Sequence, residues 1–203
     1  DVDWFHWSAL TPALSQDMAD LMEQVLKEAD QRGITISVDL NYRSKLWKYG
    51  KEPLEIMPKL AAYCDVIMGN IWAAQNMLDS PVEIGLNRQT TKEIYFNSSQ
   101  KSAKHIFETF PKAKHIANTF RFMDHPKHNL FYGTYHSRNE DSISETFETE
   151  AVVDRIGSGD AFMAGLIHAL RKGFSAQETI NFATGAGYQK LFVEGDFGNG
   201  KAN

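Results

Sequence analysis

Apolar positions along the chain follow two alternating rhythms. Val2–Ser8 is rich in aromatic and apolar residues and predicts a strand. Beyond it, Met18, Leu21, Met22, Val25, Leu26 and Ala29 recur at the three-and-four spacing of one helix face. Ser15 stands where such a helix needs an N-cap, and Gly33 where its last turn ends in a left-handed residue. Ile34–Leu40 is a β-branched run and predicts a buried strand. Strand, helix and strand with so long a crossover make a parallel unit.

The pattern continues with a helix over Pro53–Tyr63, a strand over Asp65–Gly69, and helices over Trp72–Leu78 and Thr91–Thr109, the second stopping before Pro111. Ala113–Thr119 predicts a further strand. Leu130–Tyr135 and Ser144–Val153 read as two strands joined by the polar stretch His136–Ser142. Helices over Gly159–Arg171, closed by Gly173, and over Ala176–Val193 complete the chain. This alternation predicts an α/β fold with a mostly parallel sheet covered by helices on both faces. No repeat, linker or low-complexity stretch interrupts residues 1–203, so one α/β domain is expected.

Composition narrows the function. At 203 residues, 42% hydrophobic and 23% charged, the chain has ordinary globular usage and enough apolar surface to fold. The net charge of −5 argues against a sequence-independent nucleic-acid binder and against an anionic membrane surface as partner. The longest stretches free of Asp, Glu, Lys and Arg, Trp4–Gln16 and Val66–Leu78, have 13 residues each, short of the roughly 20 of a membrane span. Cys64 is the sole cysteine, which excludes an intrachain disulfide and fits a cytoplasmic setting.

Candidate chemistry concentrates at Asp154-Arg155-Ile156-Gly157-Ser158-Gly159-Asp160, which runs into the helix carrying Phe162, Met163, Leu166, Ile167 and Leu170. Two glycines permit a tight turn and a close ligand approach. Free N–H groups at the helix start then offer an anion site suited to phosphate. Asp160 is either a first-turn carboxylate, a common place for Asp, or a general base beside that site. A dinucleotide fingerprint is excluded because the next glycine, Gly165, comes too late and the motif lies in the last quarter of the chain. A Walker phosphate loop is absent.

Elsewhere the plainer readings prevail. His125, His128 and His136 lack an established ligand spacing and read as an exposed loop, so no metal site is expected there. His168 reads as a packed or surface helix residue. Trp4, Phe5 and Trp7 serve a core or a subunit contact, which leaves a homo-oligomer open. Arg138–Glu150 reads as a solvated connection between strands.

The string Asp154–Gly165 resembles the second signature of the ribokinase-like (PfkB) carbohydrate kinases, D-T-x-G-A-G-D-x-F-x-x-G, with Arg155 in place of the Thr and Ser158 in place of the Ala. Three further strings are similar to that family, and in particular to its 2-dehydro-3-deoxygluconate kinase branch. They are Asp3-Trp4-Phe5-His6-Trp7-Ser8-Ala9-Leu10-Thr11-Pro12, Asp39-Leu40-Asn41-Tyr42-Arg43-Ser44-Lys45-Leu46-Trp47, and Gly195-Asp196-Phe197. Their order and spacing fit over nearly the whole chain.

The resemblance implies a ribokinase-like three-layer α/β/α fold and a reaction. Asp160 would take the proton of the sugar's primary hydroxyl as it attacks ATP, and Gly157, Ser158 and Gly159 would form the anion hole for the transferring phosphoryl group. Asn41, Asn118 and Thr119 would lie on the nucleotide side, Arg43 and Asp196 on the substrate side, and Mg²⁺ would accompany ATP. The implied reaction phosphorylates 2-dehydro-3-deoxy-D-gluconate at its 6-hydroxyl. Alternatives are a fructokinase or ribokinase type, or a non-catalytic nucleotide-binding fragment.

Three departures from the family pattern bear on this. Asn70-Ile71-Trp72-Ala73 replaces N-x-x-E and lacks the glutamate linked to magnesium. Ile116–Phe122 lacks the glycines of the nucleotide turn. The chain has no Gly-Gly pair and opens directly on a strand, so the resemblance implies the C-terminal portion of such a kinase, with the N-terminal part and lid strands missing.

Overall fold

A computed structural model describes residues 2–198. The chain divides into two compact units, Asp1–Asn118 and Thr119–Asn203. The first contains β1 (Trp4–Ser8), α1 (Gln16–Gln31), β2 (Thr35–Asp39), α2 (Pro53–Ala61), β3 (Val66–Met68), α3 (Ile71–Leu78), α4 (Lys92–Thr109) and the start of β4 (His115–Phe122). Trp4 pairs with Thr35, Ser37 with Val66 and Val66 with His115, all in parallel. Three successive residues of β2, Ile36, Ser37 and Val38, are buried, so both faces of the sheet are covered. Leu26, Met57, Leu60 and Ile106 complete that core from the helices. Ser37 is kept satisfied there by Trp4 Nε1 at 2.9 Å and His6 Nδ1 at 2.9 Å.

Helix starts follow local chemistry. Ser15 Oγ accepts from Met18 N–H at 3.2 Å, Asn70 Oδ1 from Ala73 N–H at 2.8 Å, and Thr91 Oγ1 from Ile94 N–H at 3.4 Å. Burial pushes the Cys64 thiol up to about 12, which makes it an inert core residue. No helix among the described residues is long and apolar enough to cross a membrane.

Asp65, just before β3, is a buried carboxylate that accepts from Ile36 N–H at 3.0 Å and faces Lys114 at 2.9 Å and Lys112 at 3.3 Å. Burial alone would raise its pKa, but the Ile36 donor and the two ammonium groups outweigh burial and hold it below the ordinary range. A carboxyl lowered in the folded state stabilises above its unfolded pKa, and that stability is lost as pH falls through the folded value. Asp65→Asn is therefore expected to destabilise most near neutral pH and progressively less on acidification. Urea unfolding of both proteins at pH 7 and pH 3 measures this, and a pH-independent difference would refute it.

The second unit contains the rest of β4, then β5 (Asn129–Ser137), β6 (Asp141–Ile143), β7 (Phe147–Thr149), α5 (Ser158–Lys172), α6 (Ala176–Gln189) and a 3-10 turn over Lys190–Phe192. β5 lies beside β4 and pairs antiparallel with both β6 and β7. Phe162 of α5 is fully buried edge-on against Phe131 of β5, with centroids 6.2 Å apart. Phe162→Ala is expected to cost about 3–5 kcal/mol, the usual range for emptying a buried aromatic site. Denaturant titration reads it, and a loss under about 1 kcal/mol would show that the site collapses around the gap.

Five expectations need correction. The strand expected over Ser144–Val153 forms only over its middle, as β7 (Phe147–Thr149). Ser144 Oγ donates to Glu145 O at 2.7 Å and accepts from Gly133 N–H, which turns the chain out of the ladder after β6. Thr149 Oγ1 takes Ala151 N–H and ends β7, after which Val152 N–H bonds Lys127 O and Val153 N–H bonds Leu191 O. β6 instead falls inside the stretch expected to be a polar connection, Arg138–Glu150, which also carries β7. The final helix stops at Gln189, and β4 runs on to Phe122. His128 and His136 are not in an exposed loop. Both are buried, His136 beside Asp141 at 2.7 Å and His128 beside Glu148 at 3.0 Å, so their partners are carboxylates supplied by the neighbouring short strands. His168 stacks on Phe182 at 5.2 Å.

Candidate active site

The turn into α5 is the best-built polar feature of the second unit. Gly157 takes a left-handed conformation, φ 74° and ψ 0°, and caps the helix. A Cβ there would collide with the Asp196 carbonyl oxygen, so only glycine fits. Ala161 N–H bonds back to Gly157 O at 2.8 Å, which starts the helical ladder. The N–H groups of Gly159 and Asp160 precede that bond and have no carbonyl one helical turn behind them. With the dipole of a 15-residue helix behind them, they favour an anion.

The segment after the 3-10 turn is fastened to this glycine. The Asp154 carboxylate accepts from Ile156 N–H and from Gly195 N–H, each at 3.0 Å. Those two donors hold its carboxyl below the ordinary range. Buried Lys190 donates to Val193 O at 2.9 Å and Gly195 O at 2.6 Å. Asp196 is thereby fixed beside Gly157. Asp160 is exposed in the first turn of α5. The structure thus gathers Gly157, Ser158, Gly159, Asp160 and Asp196 in one place.

The expected residues of the first unit sit at the C-terminal ends of its parallel strands, where ligands of open α/β sheets bind. Asn41, at φ 33°, donates its backbone N–H to Asp39 Oδ1 at 2.9 Å and its amide to Ser8 Oγ at 3.4 Å. Arg43 is exposed, with Nη1 on Tyr42 O at 3.0 Å. Asn118 is buried and donates to Gly69 O at 2.9 Å. Thr119 is half-buried on β4, the first residue of the second unit. Ala73 is buried in the first turn of α3 and offers no carboxylate. Among the described residues no three His, Cys, Asp or Glu side chains are grouped as metal ligands.

Sequence reasoning missed Arg121. Its Nη2 donates to Ser158 Oγ at 2.5 Å, and its guanidinium lies 5.4 Å from the centre of the Phe131 ring. The available signal was an arginine between Phe120 and Phe122 on a strand, where a long cation must find a buried partner.

A family model described as pfkB family carbohydrate kinase matches residues 1–197. The chain belongs to that family. Among curated proteins, the chain is 26% identical to a 2-dehydro-3-deoxygalactonokinase of Haloferax volcanii over 97% of its own length and 54% of the relative's. It is 23% identical to a 2-dehydro-3-deoxygluconokinase of Bacillus subtilis over 94% of its length and 51% of the relative's. The pfkB chain therefore spans about half the length of the curated relatives it matches. Among solved structures, a 2-dehydro-3-deoxygluconokinase of Thermotoga maritima superposes with a TM-score of 0.83 at 30% identity, covering 96% of this chain and 56% of the other. A Xylella fastidiosa fructokinase with bound ATP shares the fold, with a TM-score of 0.63 at 19% identity. The ribokinase-like α/β fold is thus established for this pfkB member.

Proposed function

We propose that this chain belongs to an ATP-dependent sugar-acid kinase that phosphorylates the primary hydroxyl of 2-dehydro-3-deoxy-D-gluconate to give the 6-phosphate. The observation that carries the reading is the α5 turn, where a first-turn carboxylate, Asp160, stands beside backbone donors suited to a phosphoryl group. The names of the relatives, kinases of 2-dehydro-3-deoxy sugar acids, support the substrate class.

In this reading Asp160 receives the hydroxyl proton as the oxygen attacks the γ-phosphorus and the bond to the ADP oxygen breaks. Gly157, Ser158 and Gly159 present the anion hole, where fixed dipoles meet developing charge without reorganising. Asn41, Asn118 and Thr119 line the nucleotide side. Arg43 engages the sugar carboxylate or the phosphates with a planar fork, and Asp196 meets the sugar. Magnesium carried on the phosphates of ATP would neutralise their charge, held by phosphate and water oxygens.

ADP release with ATP, Mg²⁺ and 2-dehydro-3-deoxygluconate, against ribose and fructose, tests the reading. Turnover with only the sugar acid is expected. Preference for fructose or ribose would replace the substrate assignment. ATP binding without turnover would favour a nucleotide-binding portion, a second reading motivated by Ala73 and by the half-length match. Arg43→Lys is expected to raise the KM for the sugar acid about tenfold, since an ammonium cannot reproduce the two-point contact. An unchanged KM and kcat would remove Arg43 from the site.

A further inference from the structure

Ser158, one of the two departures from the family signature, bonds the main-chain carbonyl of the other, Arg155. The Ser158 hydroxyl donates its one proton to Arg155 O at 3.0 Å and accepts from Arg121 Nη2 at 2.5 Å. Both of its principal hydrogen-bonding directions are used, and the side chain is 1% exposed, so its rotamer is fixed. Arg155 in turn donates through Nη2 to His128 O at 2.8 Å. An alanine at position 158 would make neither hydroxyl contact.

The cluster is also unbalanced in charge. The Nε atoms of Arg121 and Arg155 are both buried without a hydrogen-bond partner. Among the described residues neither guanidinium is in ion-pair contact with a carboxylate. Burial, and then the neighbouring Arg155 charge, weaken the hold of Arg121 on its proton. The face of Phe131 offsets only part of that cost. Two neighbouring cations without an ion-paired carboxylate, one of them bonded through its guanidinium to the first residue of α5, favour an anion at the turn and are unfavourable without one.

We infer that Arg121 is a positioning residue for the phosphate site, acting through the Ser158 hydroxyl to fix the first turn of α5 and to bias it towards polyphosphate. The main-chain carbonyl of Arg155 takes the hydroxyl proton on the other side. The inference rests on the kinase reading and adds to it the residue that steadies the anion hole from beneath. It makes Ser158 more than a tolerated substitute for alanine: in this chain the hydroxyl is the link between the buried charge and the helix start.

The test measures ATP and AMP affinity by calorimetry, with unliganded melting temperatures, for the wild-type chain, Arg121→Met, Arg121→Lys, Ser158→Ala and the Arg121→Met/Ser158→Ala double variant. Arg121→Met and Ser158→Ala are each expected to weaken ATP about tenfold, as loss of one charge-assisted contact does, while AMP changes less than about twofold. The double variant is expected to be no weaker than the worse single one, since both changes break one link. Arg121→Lys should recover part of the loss. Arg121→Met should melt no lower than wild type, because it removes an uncompensated charge; a residue with only a structural role would lower the melting temperature instead.

Unchanged ATP affinity, equal losses for ATP and AMP, or additive losses in the double variant would overturn the inference. Should Arg121→Met fail to fold, Ser158→Ala decides alone, and full ATP affinity in it refutes the role. A wild-type chain that binds no ATP would overturn the kinase reading and this inference together, whereas ATP binding with indifferent variants overturns this inference only.

Discussion

Asp160→Asn is expected to lower kcat for phosphoryl transfer by about 10²–10⁴, the usual weight of a general base. The amide has the shape of the carboxylate but cannot accept the proton that the attacking hydroxyl must lose. Fold stability should hardly move. Asp160 is exposed in the first turn of α5, and a first-turn charge there contributes only about 0.3–1 kcal/mol through the helix dipole. ATP affinity should stay within a few-fold, and removing one negative charge beside a polyphosphate works against any loss. The combination of collapsed kcat, retained ATP affinity and retained melting temperature separates a base from a helix-start carboxylate. If kcat were unchanged, Asp160 would be only the latter.

Legibility in the sequence followed the range of the forces involved. The helix from Ser15 to Gly33 was readable because its cap, its apolar stripe and its terminal glycine all lie within one segment. The α5 turn was readable for the same reason, since Gly157, Ser158, Gly159 and Asp160 act on their own backbone. What escaped depended on distant partners. β6 and β7 are three residues each and exist because β5 offers them a ladder, while Ser144 decides the break between them through hydrogen bonds to Gly133 and Glu145. His128 and His136 are buried by the same ribbon, and their carboxylate partners, Glu148 and Asp141, are 20 and 5 positions away. Arg121 reaches Ser158 across 37 positions, a distance no local pattern signals. The motif therefore gave the candidate carboxylate and the helix-start N–H groups, and the fold supplied what holds them.

Gly157→Ala carries the second large effect, and a matched control isolates its cause. An alanine at φ 74° bears left-handed strain, about 1–2 kcal/mol. Its Cβ would also meet the Asp196 carbonyl, so something must give. The segment carrying Asp196 is not free to yield, because Asp154 holds Gly195 N–H and buried Lys190 holds Gly195 O. The α5 turn is thus pushed instead, and a displacement of about 1 Å at such a site costs on the order of 10²-fold in rate. Turnover is expected to fall by about 10²–10³, as on losing an anion-hole donor. Gly173, at the other end of α5, has φ 69° and open space where a Cβ would sit. Gly173→Ala bears the same strain without the collision, so it should lower the melting temperature while leaving kcat near wild type. Equal losses of activity in both variants would mean that strain in α5, and not the contact with Asp196, sets the anion hole. Full activity in Gly157→Ala would mean that the turn does not serve the phosphoryl group at all.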